Sequence, residues 1–262
     1  MRKLLLLFFA LFLALPVAAQ TVDEVIARYF AARGGLDKIK AVKTERVTGT
    51  IYFGPGTDCT FIVERARPLK IHSEVNLNGQ IVIRTYDGKS AGWFYNPFVP
   101  NPSVAPMPET DIHEILEEAD IDGPFVDYQS KGNQLEFVGK EEVEDKPAYK
   151  IKLTNRTGVT CYFFFDASSG LVAKYLGTRK LGDSGVPWET FFRDYREVDG
   201  LKYPFVLDSS APGTEQIQKI TADKIELNVP IDETHFGKPN PPPLPPPAPA
   251  PAPVPAAPAK PN

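Results

Sequence analysis

The side chains best suited to acid–base or metal chemistry in this sequence are its three histidines, His72, His113 and His235. They are far apart in the chain, and none of their spacings is typical of a zinc site. No nucleophile and no orienting carboxylate stands at an interpretable distance from any of them. We therefore expect solvent-exposed histidines, and the sequence predicts neither a metal site nor a cofactor.

A run of acidic residues, Glu114, Glu117, Glu118 and Asp120, could supply paired carboxylates for general acid and base catalysis. The same spacing also fits the hydrated face of a helix, which is the simpler interpretation. The chain has no serine nucleophile elbow, phosphate-binding loop or dinucleotide fingerprint. The sequence thus favours a protein that is not an enzyme, with an exported hydrolase as the weaker alternative.

The chain contains two cysteines, Cys59 and Cys161, and an even pair in an oxidising compartment is a candidate disulfide. The bond would close a loop of about 100 residues and contribute roughly 4–5 kcal/mol by the chain-entropy model. Both cysteines fall in predicted strands, so the bond requires Cα atoms within about 7 Å. We favour the disulfide and keep two buried free thiols as the alternative.

The N-terminus has the layout of a secretory signal peptide: Met1-Arg2-Lys3 precede an unbroken apolar run of 12 residues, Leu4 to Leu15. This run is shorter than the roughly 18 residues of a transmembrane helix. We expect cleavage after Ala19 and a periplasmic or otherwise exported chain, with an uncleaved anchor as the alternative. No cysteine near the cleavage site could receive an N-terminal lipid.

Without the two basic residues of the signal peptide, the chain has 27 basic and 33 acidic residues, a formal net charge of −6. This charge argues against nucleic acid as a partner. At the other end, 13 of the 27 prolines lie between Pro239 and Asn262. Proline-rich sequence favours an extended polyproline-II conformation, so this segment is a spacer, a ligand for a proline-binding partner, or a tail without function. The predicted organisation is a signal peptide over 1–19, a ligand-binding domain over 20–238 and a disordered Pro/Ala-rich tail over 239–262.

Few helices are predicted. Thr21 and Glu24 form a capping box, and Gly34-Gly35 supplies a left-handed stop, so a helix should lie between them. A short helical turn over 36–42, an amphipathic helix over 109–120 and a weaker helix over 123–129 complete the set.

Beyond Lys43 the apolar residues alternate with polar ones, which is typical of strands with one wet face. Turn signals such as Asn78-Gly79 separate the strands at spacings suited to an antiparallel meander. The fold class is therefore mainly β, a curved antiparallel sheet with a helical lid. The predicted strands are 44–53, 57–66, 69–77, 80–86, 90–95, 134–139, 147–154, 158–166, 171–181, 188–197, 201–209 and 214–227.

Aromatic and aliphatic residues on the strands suggest an apolar cavity. A curved sheet with few helices has more concave apolar area than those helices can fill, although an ordinary core under a lid helix is the alternative. A cavity of this kind would hold hydrocarbon chains with little directional bonding. The residues predicted to line it are Phe61, Val63, Ile71, Val75, Ile81, Ile83, Trp93, Tyr95, Leu116, Phe163, Phe165 and Phe191.

Several segments, among them TVDEVIARYFAARGGLDKIKAVKTERVTGTI, YDGKSAGWFYNPF, ETFFRDYREVDGLKYPFVLDSS and VPIDETHFGKP, resemble the LolA-like group of outer-membrane lipoprotein-sorting proteins. The resemblance covers about Thr21 to Pro239. It implies a half-open antiparallel β-barrel, capped by helices, whose apolar cavity takes the acyl chains of lipoproteins across the periplasm. It implies no metal and no catalysis, and Arg46, Arg65 and Arg84 are the candidates for the family's functional arginine.

The sequence and the resemblance together predict a periplasmic carrier that binds the acyl chains of lipoproteins or lipids for sorting toward the outer membrane. Its partners would be an acylated lipoprotein or lipid and proteins of the inner and outer membranes, and we expect a monomer. The alternative is an envelope sensor of the same fold that detects lipoproteins and regulates a protein partner.

Overall fold

The computed structural model describes residues 21–54, 56–89, 91–181, 184–214 and 218–243. The predicted signal peptide and the tail from Leu244 onward lie outside the described residues. None of the helices in the described part is long and apolar enough to span a bilayer.

Three α-helices form where the sequence predicts them: α1 (Val22–Arg33), α2 (Leu36–Ala41) and α3 (Glu109–Ala119). The capping box of α1 is present, with the Glu24 N–H donating to Thr21 Oγ1 over 3.2 Å and the Thr21 N–H donating to the Glu24 carboxylate over 3.0 Å. Gly34 ends α1 at a φ of 117°. A Cβ there would also lie 2.1 Å from the Gly200 carbonyl oxygen, so only glycine lets the helix end approach the sheet.

The described strands form one antiparallel sheet of 13 strands in the order β6-β5-β4-β3-β2-β1-β13-β12-β11-β10-β9-β8-β7. Twelve of them match predicted strands, and β6, an edge strand of two residues, is the addition. The strands β1 to β13 are Thr44–Tyr52, Asp58–Ala66, Lys70–Leu77, Gln80–Asp87, Gly92–Tyr95, Ala105–Pro106, Gln134–Val143, Lys146–Thr154, Thr160–Asp166, Val172–Leu181, Ser184–Val198, Leu201–Ser210 and Gln218–Leu227.

The sheet is curved and open. Helix α1 contacts both β7 and β12, although four strands lie between them. In a flat sheet those two strands would be about 24 Å apart, whereas a helix is about 10–12 Å wide, so the sheet must curl around α1. The end strands β6 and β7 are not paired with each other in the described structure, which leaves a half-open barrel as predicted.

The predicted helix over 123–129 is wrong. Residues 121–132 form consecutive turns, in which Gly123 has a φ of 71° and Asp127 a φ of 50°. Two left-handed residues cannot continue a right-handed helix, and Pro124 has no backbone N–H to donate. The turns nevertheless bury Phe125 and Val126 beneath α1 and α2.

All three helices cover the same face of the sheet, which we call the covered face. Ile26 of α1 packs with Ile151 of β8, Ile39 of α2 packs with Phe205 of β12, and Ile115 of α3 packs with Ile71 of β3. Because side chains alternate along a strand and directly paired residues share a face, the register assigns the remaining strand residues to the covered face or to the opposite, outer face.

Candidate ligand-binding site

Half of the covered face is packed solid. Under α1, the ring of Phe125 lies 4.8 Å from Phe163, 5.3 Å from Phe165 and 5.4 Å from Tyr29, measured between ring centroids. These distances are those of ordinary aromatic packing in a core. This half of the face therefore supplies much of the stability of the sheet.

The other half of the covered face carries a row of apolar side chains that runs across seven strands, from β4 to β11. Each of its residues is paired with another of them on a neighbouring strand, except that Phe61 is also paired with Gly49, which precedes Ile51 on the same face of β1. Six of the eight side chains keep part of their surface exposed, Cys59 and Ile51 being the buried ones. This apolar row consists of Val82, Val75, Phe61, Cys59, Ile51, Ile220, Leu207 and Phe192.

Gly49 makes room for this row. A Cβ at that position would lie 2.0 Å from the Thr221 carbonyl oxygen and 2.8 Å from the Phe61 ring. A β-bulge at Thr48/Gly49 brings the backbone of β13 this close. The Phe61 ring consequently extends over the backbone of β1 at Gly49, between the apolar residues of β2 and those of β13.

A cavity of about 530 Å³ opens where the start of α3 meets the β4–β5–β6 edge. Its walls include Tyr86, Trp93, Met107 and Ile112, with Lys89 and Glu109 at its border. A second cavity of about 300 Å³, near the β7–β8 and β9–β10 turns, has a charged lining that includes Arg193 and Glu144. The first cavity is the one whose chemistry suits an apolar ligand.

The structure places seven of the twelve residues predicted to line an apolar site on or against the covered face, in three separate groups. Six of them lie on the covered face, and Leu116 packs from α3 against the cluster around Ile71. Within this group Ile71 and Phe165 are fully buried in packed clusters, whereas Phe61 and Val75 belong to the apolar row. The six on the covered face are Phe61, Val63, Ile71, Val75, Phe163 and Phe165.

The other five predicted residues lie on the outer face and do not belong to the apolar row, although Trp93, near the sheet edge, still lines the cavity of about 530 Å³. In β4 the residues paired with the covered face are Val82, Arg84 and Tyr86, which places the odd-numbered residues on the other side. The sequence contains apolar residues on both faces of β4 and β5, so alternation alone could not decide the side. The five residues are Ile81, Ile83, Trp93, Tyr95 and Phe191.

Helix α3 is fastened to the covered face by two arginines. Arg84 Nη2 lies 2.7 Å and Nη1 3.0 Å from the two carboxylate oxygens of Glu118, and Arg65 Nε donates to the Glu118 carbonyl oxygen. Of the three candidate arginines, Arg46 lies on the outer face instead, where it pairs with Glu64. Sequence reasoning could not choose among the three, because the choice depends on where α3 lies.

The acidic residues of α3 are anchors. Glu117 accepts a hydrogen bond of 2.9 Å from the Asn155 side chain in the β8–β9 turn, and Asp120 pairs with Lys131 over 2.5 Å. Burial raises the pKa of Asp120 above its ordinary value, and the nearby Lys131 only partly offsets this. The acidic run therefore ties α3 to both sides of the sheet.

Two of the three histidines, His113 and His235, are exposed as predicted, and His72 is not. His113 is exposed, but His72 is only 8% exposed, because the C-terminal segment 228–238 crosses the outer face above it. His72 Nδ1 lies 3.0 Å from the His235 carbonyl oxygen, and His235 Nδ1 lies 2.6 Å from Glu64 Oε2. In the described part of the chain, no group of His, Cys, Asp or Glu side chains has the arrangement of a metal site.

The disulfide favoured from the sequence is not formed. Cys59 lies on β2 and Cys161 on β9, with five strands between them, and both are buried free thiols. Burial raises the pKa of the Cys161 thiol to about 12. The alternative of two buried thiols is the one that the structure supports.

Comparison with known proteins finds likeness in structure alone. No family model matches the chain, and no curated protein matches it in sequence.

Three solved structures share the fold over most of their length. A DUF1329 family protein from Desulfovibrio piger is 13% identical, covers 84% of this chain and 98% of its own, and has a TM-score of 0.56. A putative outer membrane lipoprotein-sorting protein domain from Vibrio parahaemolyticus is 10% identical, with coverage of 81% and 95% and a TM-score of 0.55. A LolA superfamily protein from Nitrosomonas europaea is 11% identical, with coverage of 83% and 98% and a TM-score of 0.54. The chain thus has a LolA-like fold, as the resemblance of its sequence predicts.

Proposed function

We propose that this protein is a non-enzymatic carrier that binds the acyl chains of lipoproteins or lipids on its covered face. The observation that carries the proposal is the apolar row, which crosses seven strands and in which six of the eight side chains stay partly exposed. Soluble domains rarely keep such a surface on a concave face unless something binds there.

The energetics of the row suit a long aliphatic chain. Each methylene buried against it would gain about 0.8 kcal/mol, so about ten methylenes would gain about 8 kcal/mol before the costs of ordering. A ligand that long needs an extended binding surface, and seven strands about 4.8 Å apart provide about 29 Å. The side chains there offer few directional bonds, which suits a carrier that must also release its ligand.

We further propose that the protein works in the periplasm and exchanges its ligand with partners at the two membranes. The basic and apolar N-terminus supports export to the periplasm with cleavage near Ala19, and residues 20–238 form the ligand-binding unit. The carrier would work as a monomer, receive an acylated lipoprotein or lipid from an inner-membrane partner and deliver it toward the outer membrane. The described likeness to a putative lipoprotein-sorting domain supports this direction at the level of fold.

The first test is mass spectrometry of protein extracted natively from the periplasm. We expect copurified acylated peptides or lipids, and the purified protein should bind a fluorescent fatty acid ester such as methyl parinarate. An empty protein that retains neither acylated peptides nor the fluorescent probe would contradict the proposal.

The second test locates the site with a matched pair of variants. Val75→Asp places a charge on the apolar row, whereas Val206→Asp places the same charge on the outer face of β12, and both valines are partly buried. We expect Val75→Asp to weaken probe binding tenfold or more, because an unpaired carboxylate would face the hydrocarbon. Equal effects of the two substitutions would show that binding does not use the covered face.

A further inference from the structure

The last residue of α1, Arg33, carries a guanidinium that the fold surrounds with tyrosines. Its Nη1 donates a hydrogen bond of 2.9 Å to Tyr29 Oη, and its Cζ lies 4.7 Å from the ring centroid of Tyr203 on β12. Its Nε is buried and has no hydrogen-bond partner in the described structure. The cation therefore has one unused donor directed into the interior.

No carboxylate in the described part of the chain lies within ion-pair distance of Arg33. Glu45, the buried acid on this side of β1, is already bound by Arg65 and by the Tyr203 hydroxyl. Burial would lower the pKa of Arg33, but the neighbouring tyrosines outweigh this and raise it, so the guanidinium stays charged. A largely buried cation without a counter-ion is costly, and here the buried Nε also has no acceptor to replace the water it has lost.

Arg33 lies on the covered face, the face to which the proposed ligand binds. Tyr29 packs against the cluster under α1, and Tyr203 packs against the neighbouring cluster under α2, so Arg33 lies between the two packed clusters on the covered face. Both tyrosines and Arg33 are only partly buried. An anionic group reaching this point could accept from Nε while an attached hydrocarbon chain follows the apolar surface.

We propose that Arg33 is the counter-ion for an anionic group of the ligand, an inference that rests on the proposed acyl-binding function. The ligand class is then an amphiphile with a long hydrocarbon chain and a carboxylate or phosphate. Such a site favours acidic amphiphiles over neutral ones, because an anion both accepts the Nε–H hydrogen bond and neutralises the guanidinium, whereas a neutral oxygen can only accept the hydrogen bond.

The test compares acidic and neutral competitors of equal chain length, using displacement of bound methyl parinarate. Palmitate is set against methyl palmitate, and lysophosphatidic acid against monoacylglycerol, so that a carboxylate is distinguished from a phosphate. We expect at least one acid to displace the probe about tenfold better than its neutral counterpart, in line with a charge-assisted hydrogen bond.

The preference should depend on Arg33 and not on charge in general. Arg33→Gln is expected to abolish the preference while leaving methyl parinarate binding unchanged, and Arg33→Lys should restore part of it. Arg28→Gln is the matched control, because Arg28 is an exposed arginine of the same helix that donates to the Ser168 carbonyl oxygen.

Thermal unfolding separates this role from a structural one. In the ligand-free protein, Arg33→Met should leave Tm unchanged or raise it, since it removes a buried unpaired cation. A fall in Tm together with an intact preference for acids would make Arg33 a structural residue and overturn the inference. Wild-type protein that binds both neutral and acidic competitors equally also overturns it, whereas failure to bind any probe overturns the proposed function itself.

Discussion

Glu64 is the residue whose loss should most clearly loosen the C-terminal segment from the sheet. Its side chain is 2% exposed and lies between Arg46 Nε at 2.7 Å and His235 Nδ1 at 2.6 Å. Through His235 it holds residues 228–238 against the outer face of β1 to β4. Glu64→Gln keeps the volume but removes the charge that both partners share.

The expected loss follows from the burial of the three groups. Removing one partner of a fully buried ion pair typically costs about 3–5 kcal/mol. Here the side chains of Arg46 and His235 remain 27% and 45% exposed, so water can solvate them once the charge of Glu64 is removed. We therefore expect Glu64→Gln to lower the free energy of unfolding at pH 7 by about 2 kcal/mol.

The effect should depend on pH in a defined direction. Burial would raise the pKa of Glu64, but the hydrogen bonds from His235 and Arg46 outweigh burial and lower it. A carboxylate with a lowered pKa in the folded state contributes stability above its unfolded pKa of about 4.3, and that stability is lost as the pH falls through the folded pKa. The difference between wild type and Glu64→Gln should consequently shrink below about pH 4.

Urea unfolding followed by tryptophan fluorescence and circular dichroism at pH 7 and pH 3.5 measures both effects. Glu136→Gln is the control, because Glu136 is 66% exposed and its pair with Lys152, screened by water, should contribute little to stability. A loss for Glu64→Gln no larger than that for this control at pH 7 would contradict the stabilising role of Glu64. A difference in unfolding free energy between wild type and Glu64→Gln that is as large at pH 3.5 as at pH 7 would contradict the role of its charge.

Two substitutions and one labelling experiment test the packing of the covered face. Gly49→Ala should lower the free energy of unfolding by about 1–3 kcal/mol in urea titration, because its Cβ would lie 2.0 Å from the Thr221 oxygen; an unchanged midpoint would contradict the bulge geometry. Ile115→Ala, at a fully buried position of α3, should cost about 2–5 kcal/mol and speed hydrogen exchange in that helix, and unchanged exchange would argue against its anchoring role. The buried Cys161, with its pKa raised to about 12, should react with a thiol reagent at pH 8 only after unfolding, which fast labelling of the native protein would disprove.

The parts of the fold that the sequence predicts well are those determined by neighbouring residues. The capping box at Thr21 and Glu24 and the glycine after Arg33 define α1 without reference to the rest of the chain. Alternation and turn signals likewise locate the strands, since each strand's side-chain period is a local property. The strand β6 was not predicted, because Ala105–Pro106 is too short to show the alternation of apolar and polar residues.

The parts that the sequence could not predict depend on residues far apart in the chain. His72 is buried because residues more than 150 positions later cross the outer face. The side of the sheet occupied by Phe191 and Phe192 depends on strand pairing, and these two adjacent aromatics left both faces open. Arg33 carried no signal at all, because an arginine in the last turn of a helix is ordinary until its neighbours are known.

The two halves of the covered face have opposite roles, and α3 packs on a separate cluster around Ile71. The packed half under α1 and α2 stabilises the sheet, so the apolar row can remain partly exposed without unfolding the domain. Helix α3 combines two almost fully buried residues, Ile115 and Ala119, with exposed polar anchors such as the pair of Glu118 and Arg84. Exposed ion pairs contribute little stability, because water can replace either partner, whereas the buried contacts fix the position of the helix on the sheet. The contacts of Ile115 and Ala119 with the cluster around Ile71 are therefore the ones that fix α3 on the covered face.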